Sequence, residues 1–493
     1  MIEIGNTVLK KQKNFWNACV FHPTDAVEDP WGRRILDRMS EDGAIKTVRV
    51  YSMFEDIVYL DEDGRLCYDF RLSDLRLDYL IEKGYDLLLS YAGIPDCIAS
   101  SVKNKTSAAK NKTRYKGKMW NTSPPRDYAL WEEICYEYTK HNVERYGAET
   151  VEKWRCQCFN EPDISIFFLS ELPRDAVEAR LREYCKLYEA FERGVRRVSE
   201  NISIGGPALA HRHPFLEGFL DRVREKQLRL DFISLHSYGT SPEMLNDKSR
   251  PLCVNSLMEK YSAYFETIRS HGFENTPILI DEWGMASAGF YNREECPELM
   301  ARETEVFSAY FVKLIVELIR SGSPMEMLAI CLSGQHEMTE DFSGFRNFFT
   351  LNFIKKPIYN AHLLTSKMGD LLVKTEKDNE NVFAFTTKDD SGRYSTLLTY
   401  CSEFFKEDIP NITEELTYEE DISGKKITVW CIDRNNANPY RTWECLGKPE
   451  MTDALVRQLR NQGNLSPVAE FIAKGNSIPL NLTPNSMFLV IIE

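Results

Sequence analysis

From residue 15 to about residue 335, short apolar runs alternate with longer stretches whose apolar positions recur every three or four residues. The short runs lie at 15–21, 46–52, 86–91, 154–160, 202–206, 231–236, 277–282 and 327–333. They read as strands buried on both faces. Helical periodicity fills 32–41, 73–83, 126–146, 176–200, 215–226, 256–271 and 301–321. Eight strands with seven helices between them in one stretch predict an α/β fold, a (β/α)8 TIM barrel. An open doubly wound sheet shares that alternation. However, no G-x-G-x-x-G follows the first strand, and polar residues cluster at the strands' C-terminal ends, which form a barrel's functional face.

Past residue 340 the period changes. Segments 381–387, 394–400, 426–432, 467–472 and 486–492 are β-like, and Asp389-Asp390-Ser391-Gly392 is a hairpin turn signal. The expected organisation is a catalytic barrel over 15–340 and an accessory β-sandwich over 341–493, with 1–14 adding a strand to the sandwich.

Composition narrows the function classes. Hydrophobic residues make up 43% of the chain and aromatics 12%, enough for large packed cores. The net charge of −14 disfavours nucleic acid as a partner. No apolar run is long enough to span a membrane, and no secretory leader is visible, so a cytoplasmic location is expected. The thirteen cysteines are scattered through apolar runs and read as buried thiols. With no C-x-x-C pair and no His-rich spacing, neither a metal nor another cofactor is expected. The sequence leaves a homo-oligomer open. The segment 101–118 carries seven Lys or Arg residues and reads as a solvated loop or, placed after a barrel strand, as a lid over the mouth.

The candidate chemistry sits at two strand ends. The run Trp154–Phe159 stops at Asn160-Glu161, and Pro162 forbids further ladder pairing. The run Pro277–Ile280 stops at Asp281-Glu282-Trp283. Glutamates on strands four and seven of one barrel can converge on one sugar, as glycosidic cleavage by a carboxyl pair requires. Glu161 is expected as general acid/base and Glu282 as nucleophile, with Arg49 and His236 stabilising the charge on Glu282. Asn160 is expected to bond the sugar 2-hydroxyl and Tyr238 to orient the nucleophile. Trp283 is expected either as a stacking face or as ordinary core, and His336 and Glu337 either as sugar ligands or as surface loop. No G-x-S-x-G elbow suggests a serine hydrolase.

These motifs resemble glycoside hydrolase family 39, retaining barrel enzymes that include β-xylosidases and α-L-iduronidases. Val48-Arg49-Val50-Tyr51, Asn121-Thr122-Ser123-Pro124-Pro125-Arg126-Asp127-Tyr128, Phe159-Asn160-Glu161-Pro162 and Ile280-Asp281-Glu282-Trp283 carry the resemblance. Gly205-Gly206-Pro207-Ala208 and Lys355-Lys356-Pro357 extend it. It implies Glu161 as acid/base and Glu282 as nucleophile, acting on a small oligosaccharide or glycoside. The departures are Tyr51, where family β-xylosidases carry His, and the stretch after strand eight, where a Trp, an Asp and a Gly-rich loop are replaced. The expectation is a retaining exo-glycosidase, foremost a β-xylosidase. The alternatives are a β-glucoside, β-galactoside or α-L-linked specificity, or a non-catalytic carbohydrate-binding barrel.

Overall fold

The computed structural model describes residues 1–22, 26–106, 120–211, 213–240, 252–286, 293, 296–334, 338, 340–405 and 407–493. Eight strands form a closed parallel barrel: β1 (Ala18–Val20), β2 (Thr47–Tyr51), β3 (Asp86–Tyr91), β4 (Arg155–Cys158), β5 (Ser203–Leu209), β6 (Phe232–Thr240), β7 (Ile278–Ala286) and β8 (Met325–Cys331). β8 pairs back onto β1 and closes the ring.

A helix follows each strand: α1 (Pro30–Asp42), α2 (Arg71–Glu82), α3 (Tyr128–Tyr146), α4 (Val177–Arg196), α5 (His213–Lys226), α6 (Asn255–Ser270), α7 (Glu305–Arg320) and α8 (Pro357–Thr365). Local sequence sets their ends. The Asp29 carboxylate accepts from the N–H groups of Trp31 and Gly32, Pro30 opens α1, and Gly43 at φ 66° ends it. The Tyr359 hydroxyl donates to Asp42 at 2.8 Å, and the His362 ring stacks on Phe311 with centroids 4.3 Å apart. α8 therefore lies between α1 and α7 and completes the helix ring, although it falls beyond residue 340.

Strand alternation divides the barrel's side chains. Leu88, Phe232, Leu279 and Met327 form an apolar floor inside the barrel. Above them lies a polar layer in which Gln157 donates to Ser234 and Asp281, both at 2.7 Å. Cys156 and Cys158, two residues apart on β4 and so on one face of it, both join the large core cluster.

The accessory unit is one nine-stranded sheet. It contains β9 (Leu371–Lys377), β10 (Val382–Lys388), β11 (Tyr394–Tyr400), β12 (Ile412–Tyr418), β13 (Lys426–Ile432), β14 (Pro467–Ile472), β15 (Ser477–Leu482), β16 (Ser486–Ile492) and the N-terminal strand Ile2–Lys11. That strand lies between β9, to which it is antiparallel, and β12, to which it is parallel. The sheet folds over on itself: Tyr418 of β12 contacts the Tyr394 ring at 5.4 Å and the Thr396 hydroxyl at 2.8 Å on β11, four places along the strand order. Its inner face is a separate apolar core containing Ile4, Val382, Leu398, Leu416 and Val490. The opposite face contributes Phe385, Leu397, Leu489 and Ile491 to the barrel's own core.

Two helices between β13 and β14, α9 (Pro439–Cys445) and α10 (Asp453–Gln462), had no counterpart in the sequence reading. Trp443, Leu455 and Leu459 pack with Phe342 and Ile354 in a small core under the segment after β8.

Candidate active site

β4 ends in a tight backbone device. Phe159 and Glu161 have φ of 65° and 46°, left-handed values that cost β-carbon residues energy and cluster at functional sites. The fold holds them there. The Phe159 carbonyl accepts from the Ser90 hydroxyl at 2.7 Å, and the Glu161 N–H donates to the Ala208 carbonyl at 3.0 Å. Two residues on, the Asp163 carboxylate accepts from the N–H groups of Ala210 and His211 at 2.8 and 3.0 Å. The Glu161 carboxyl is thereby fixed over the barrel mouth.

β7 uses a bulge. Leu235 pairs with Ile280, whereas His236 pairs with Glu282, so Asp281 is the extra residue. Strict alternation from the inward Leu279 would turn Asp281 in and Glu282 out. The bulge re-aims the strand so that both carboxylates face inward. Trp283 then points outward. It is fully buried and stacks on Phe311 at 5.6 Å, with Phe307 at 5.9 Å. Its stacking role on sugar is therefore corrected: Trp283 is a core residue of the strand–helix layer.

Arg49 is the hub of the site. Fully buried, it donates to Glu282 Oε1 at 2.8 Å, Asn160 Oδ1 at 2.8 Å, the Tyr51 hydroxyl at 2.9 Å and Gln157 at 2.9 Å, and it pairs with Asp281 at 2.9 Å. Tyr51 donates to Glu282 Oε1 at 3.0 Å, and Tyr238 donates to Oε2 at 2.8 Å. With its oxygen held by Arg49, the Asn160 amide has its NH2 group to donate. His236 Nδ1 lies 2.8 Å from Glu161 Oε1 and 3.6 Å from Glu282 Oε2. One ligand atom each from Glu161, His236 and Glu282 lie within 4.8 Å of one another. A guanidinium on Glu282 Oε1 and an imidazole beside Glu161 Oε1 and Glu282 Oε2 disfavour a bound cation, so this cluster suits a carboxyl pair better than a metal.

The environment separates the two carboxyls. Burial raises Glu161 above the ordinary carboxylate range, with Glu282 and Asp163 adding to the shift against the opposing pull of His236. Burial also pushes Glu282 upward, but His236, Arg49, Arg346 and the Tyr238 hydrogen bond outweigh it and bring it down to about 2. Burial alone would lower His236, yet the Glu282 and Asp281 charges raise it to about 10. One carboxyl is poised to give a proton and the other to stay ionised, the division that acid–nucleophile catalysis needs.

A family model for glycosyl hydrolases family 39 matches residues 2–474. The chain belongs to glycoside hydrolase family 39. A β-xylosidase of Caldicellulosiruptor saccharolyticus is 24% identical over 98% of this chain and 96% of its own length. The human α-L-iduronidase is 26% identical over 48% of this chain and 33% of its own. Among solved structures, a monomeric β-xylosidase from Caulobacter crescentus CB15 superposes with a TM-score of 0.82 at 17% identity, covering 100% of this chain and 99% of that one. The barrel and accessory sheet are those of family 39 structures, and the chain is a retaining glycoside hydrolase.

Of the residues expected from sequence, Glu161, Glu282, Asn160, Arg49, Tyr51, His236 and Tyr238 are brought together. His336 and Glu337 lie outside the described residues, as do Lys110, Lys112, Arg114, Lys116 and Lys118 of the Lys-rich loop. Among the described residues, no helix is long and apolar enough to cross a membrane. Sequence reasoning missed Gln157 and Arg346. Gln157 carried a usable signal, a lone amide between two cysteines in an apolar strand; Arg346 carried none.

Proposed function

We propose that Glu161 and Glu282 are the catalytic pair of a double-displacement exo-glycosidase of β-xylosidase type. Glu161 gives its proton to the leaving-group oxygen while a Glu282 oxygen attacks the anomeric carbon and the glycosidic bond breaks. The resulting glycosyl ester is hydrolysed by a water whose proton returns to Glu161. Asn160 faces the 2-hydroxyl. The observation that carries this reading is that one oxygen of Glu161 and one of Glu282 lie within 4.8 Å of each other beside His236, a closeness compatible with the about 5–5.5 Å between carboxyls in retaining enzymes. The xyloside preference is supported by the near full-length likeness to β-xylosidases.

A second glycone is favoured by one feature: Tyr51 stands at the nucleophile where family β-xylosidases carry His. A panel of nitrophenyl glycosides, led by the β-D-xyloside, tests both readings. Turnover on the xyloside supports the first, and turnover on another sugar alone supports the second. Binding without release on every sugar removes the catalytic reading. The thirteen cysteines are all free, which supports a reducing compartment such as the cytoplasm. The chemistry falls to the barrel, 15–340 together with α8, and the sheet serves as its scaffold.

A further inference from the structure

The two oxygens of Glu282 are served by the same device twice. Arg49 donates to the Tyr51 hydroxyl at 2.9 Å, and that hydroxyl donates to Oε1. Arg346, from the segment after β8, donates to the Tyr238 hydroxyl at 3.0 Å, and that hydroxyl donates to Oε2. A phenol whose oxygen accepts from a guanidinium has its own proton directed away from the cation, here toward the carboxylate. The first relay lies on a barrel strand. The second depends on a loop, and the loop is braced by buried charge.

Glu303 and Lys356, both fully buried, pair at 2.7 Å. Glu303 accepts from the Gly344 N–H at 2.7 Å, and Lys356 donates to the Phe345 carbonyl at 2.8 Å. Arg302 donates to the Gly344 carbonyl at 3.1 Å. On the other side, the Asn347 side chain donates to the Ser333 carbonyl, and Arg346 itself donates to the Ser333 hydroxyl at 3.1 Å. Gly344 has φ 77°, and a β-carbon there would sit 3.1 Å from Leu299, so this path of the chain requires glycine.

We propose that Arg346 is a positioning residue for the nucleophile, acting through the Tyr238 hydroxyl to fix Oε2 of Glu282 and keep the carboxylate ionised. This rests on Glu282 being the nucleophile. Among the described residues, the other groups facing Glu282 are Arg49 and Tyr51 from β2, Glu161 from the end of β4, His236 from β6 and Cys331 from β8, so Arg346 is one of three described cations around it. Burial raises the Tyr238 phenol, with Cys331 and Glu282 adding to the shift, so it stays a donor across the working pH range.

The test uses the full chain with R346Q, R346K, Y238F and the double variant R346Q/Y238F on the best nitrophenyl glycoside. In R346Q, kcat falls about tenfold and the acidic limb of kcat/KM, read by brief pH jumps, moves up by about one unit. R346K holds the limb close to wild type because the charge is kept. In the Y238F background, R346Q adds less than about threefold, because the relay is already cut. An unshifted limb in R346Q, or a loss of kcat by R346Q that is undiminished in the Y238F background, overturns the proposal. Should R346Q fail to fold, R346K decides: lower kcat at an unmoved limb supports the proposal, and wild-type behaviour overturns it. Failure of the catalytic assignment has a different signature, which is full activity in E282A.

Discussion

His236 Nδ1 lies 2.8 Å from Glu161 and 3.6 Å from Glu282, so one imidazole serves both carboxyls. Its cationic form opposes protonation of each. Replacing it with Asn removes that cation, and both limbs of the kcat/KM profile move to higher pH. kcat falls by about a hundredfold, comparable to losing one preorganised electrostatic contact. Initial rates across pH, wild type against H236N, check this.

The nucleophile assignment is tested by rescue. Glu282→Ala abolishes turnover, and azide restores part of it on an activated aryl glycoside, giving a glycosyl azide of inverted configuration. Glu161→Ala with azide gives the retained product, because the covalent intermediate still forms. Product stereochemistry by NMR separates the two, and full activity in E282A removes the assignment.

Arg49 joins a stability role to its role in the site. Arg49→Met leaves Glu282 and Asp281 buried with His236 but without the guanidinium that pairs with both, at a cost of about 3–5 kcal/mol. Expected are a lower melting temperature and loss of activity on every substrate. A melting temperature equal to wild type would show that the buried carboxylates do not need this cation.

The pH dependence of stability follows from the two shifted groups. Glu282 lies near 2 when folded against an ordinary 4.5, so its contribution is present above 4.5 and is lost as pH falls toward 2. His236 lies near 10 against 6.5, so its contribution is complete below 6.5 and is lost as pH rises toward 10. Their joint contribution is greatest between those ordinary values. Melting curves for wild type and H236N are expected to differ most there and to converge toward pH 10.

Gly344 holds the loop that carries Arg346. Gly344→Ala places a β-carbon against the Leu299 backbone at positive φ and costs about 1–3 kcal/mol. If the loop shifts with it, the variant shows the same acidic-limb displacement as R346Q, so a melt and a pH profile on one sample check both effects.

The barrel was legible because its strands, buried on both faces, stand out as apolar runs separated by helical periodicity, and because Pro162 marks where one of them must stop. Glu282 was legible as a residue but not as a direction: alternation alone turns it outward, and the bulge at Asp281 that reverses this leaves no mark in hydropathy. The same alternation accounts for Trp283, whose place in the helix layer follows once the bulge is counted. β9, β12 and β15 escaped notice because charged and polar side chains break up the apolar run: on β12 the exposed face carries Thr413 and Glu415, and Glu414 sits buried on the inner face before Leu416. Arg346 was illegible for another reason. Its position depends on a buried Lys356–Glu303 pair whose members are far apart in sequence.

The N-terminal strand has its partners at Lys377 and Leu416. During synthesis it must therefore wait, unpaired, while the whole (β/α)8 unit emerges from the ribosome. The folding order is thereby constrained: the enzyme's mouth can assemble before this strand, made ahead of the barrel, joins the two parts of the sheet. Deleting that strand would leave a gap between β9 and β12 and open two raw edges to other chains, so the expected failure is association between molecules rather than loss of the catalytic groups.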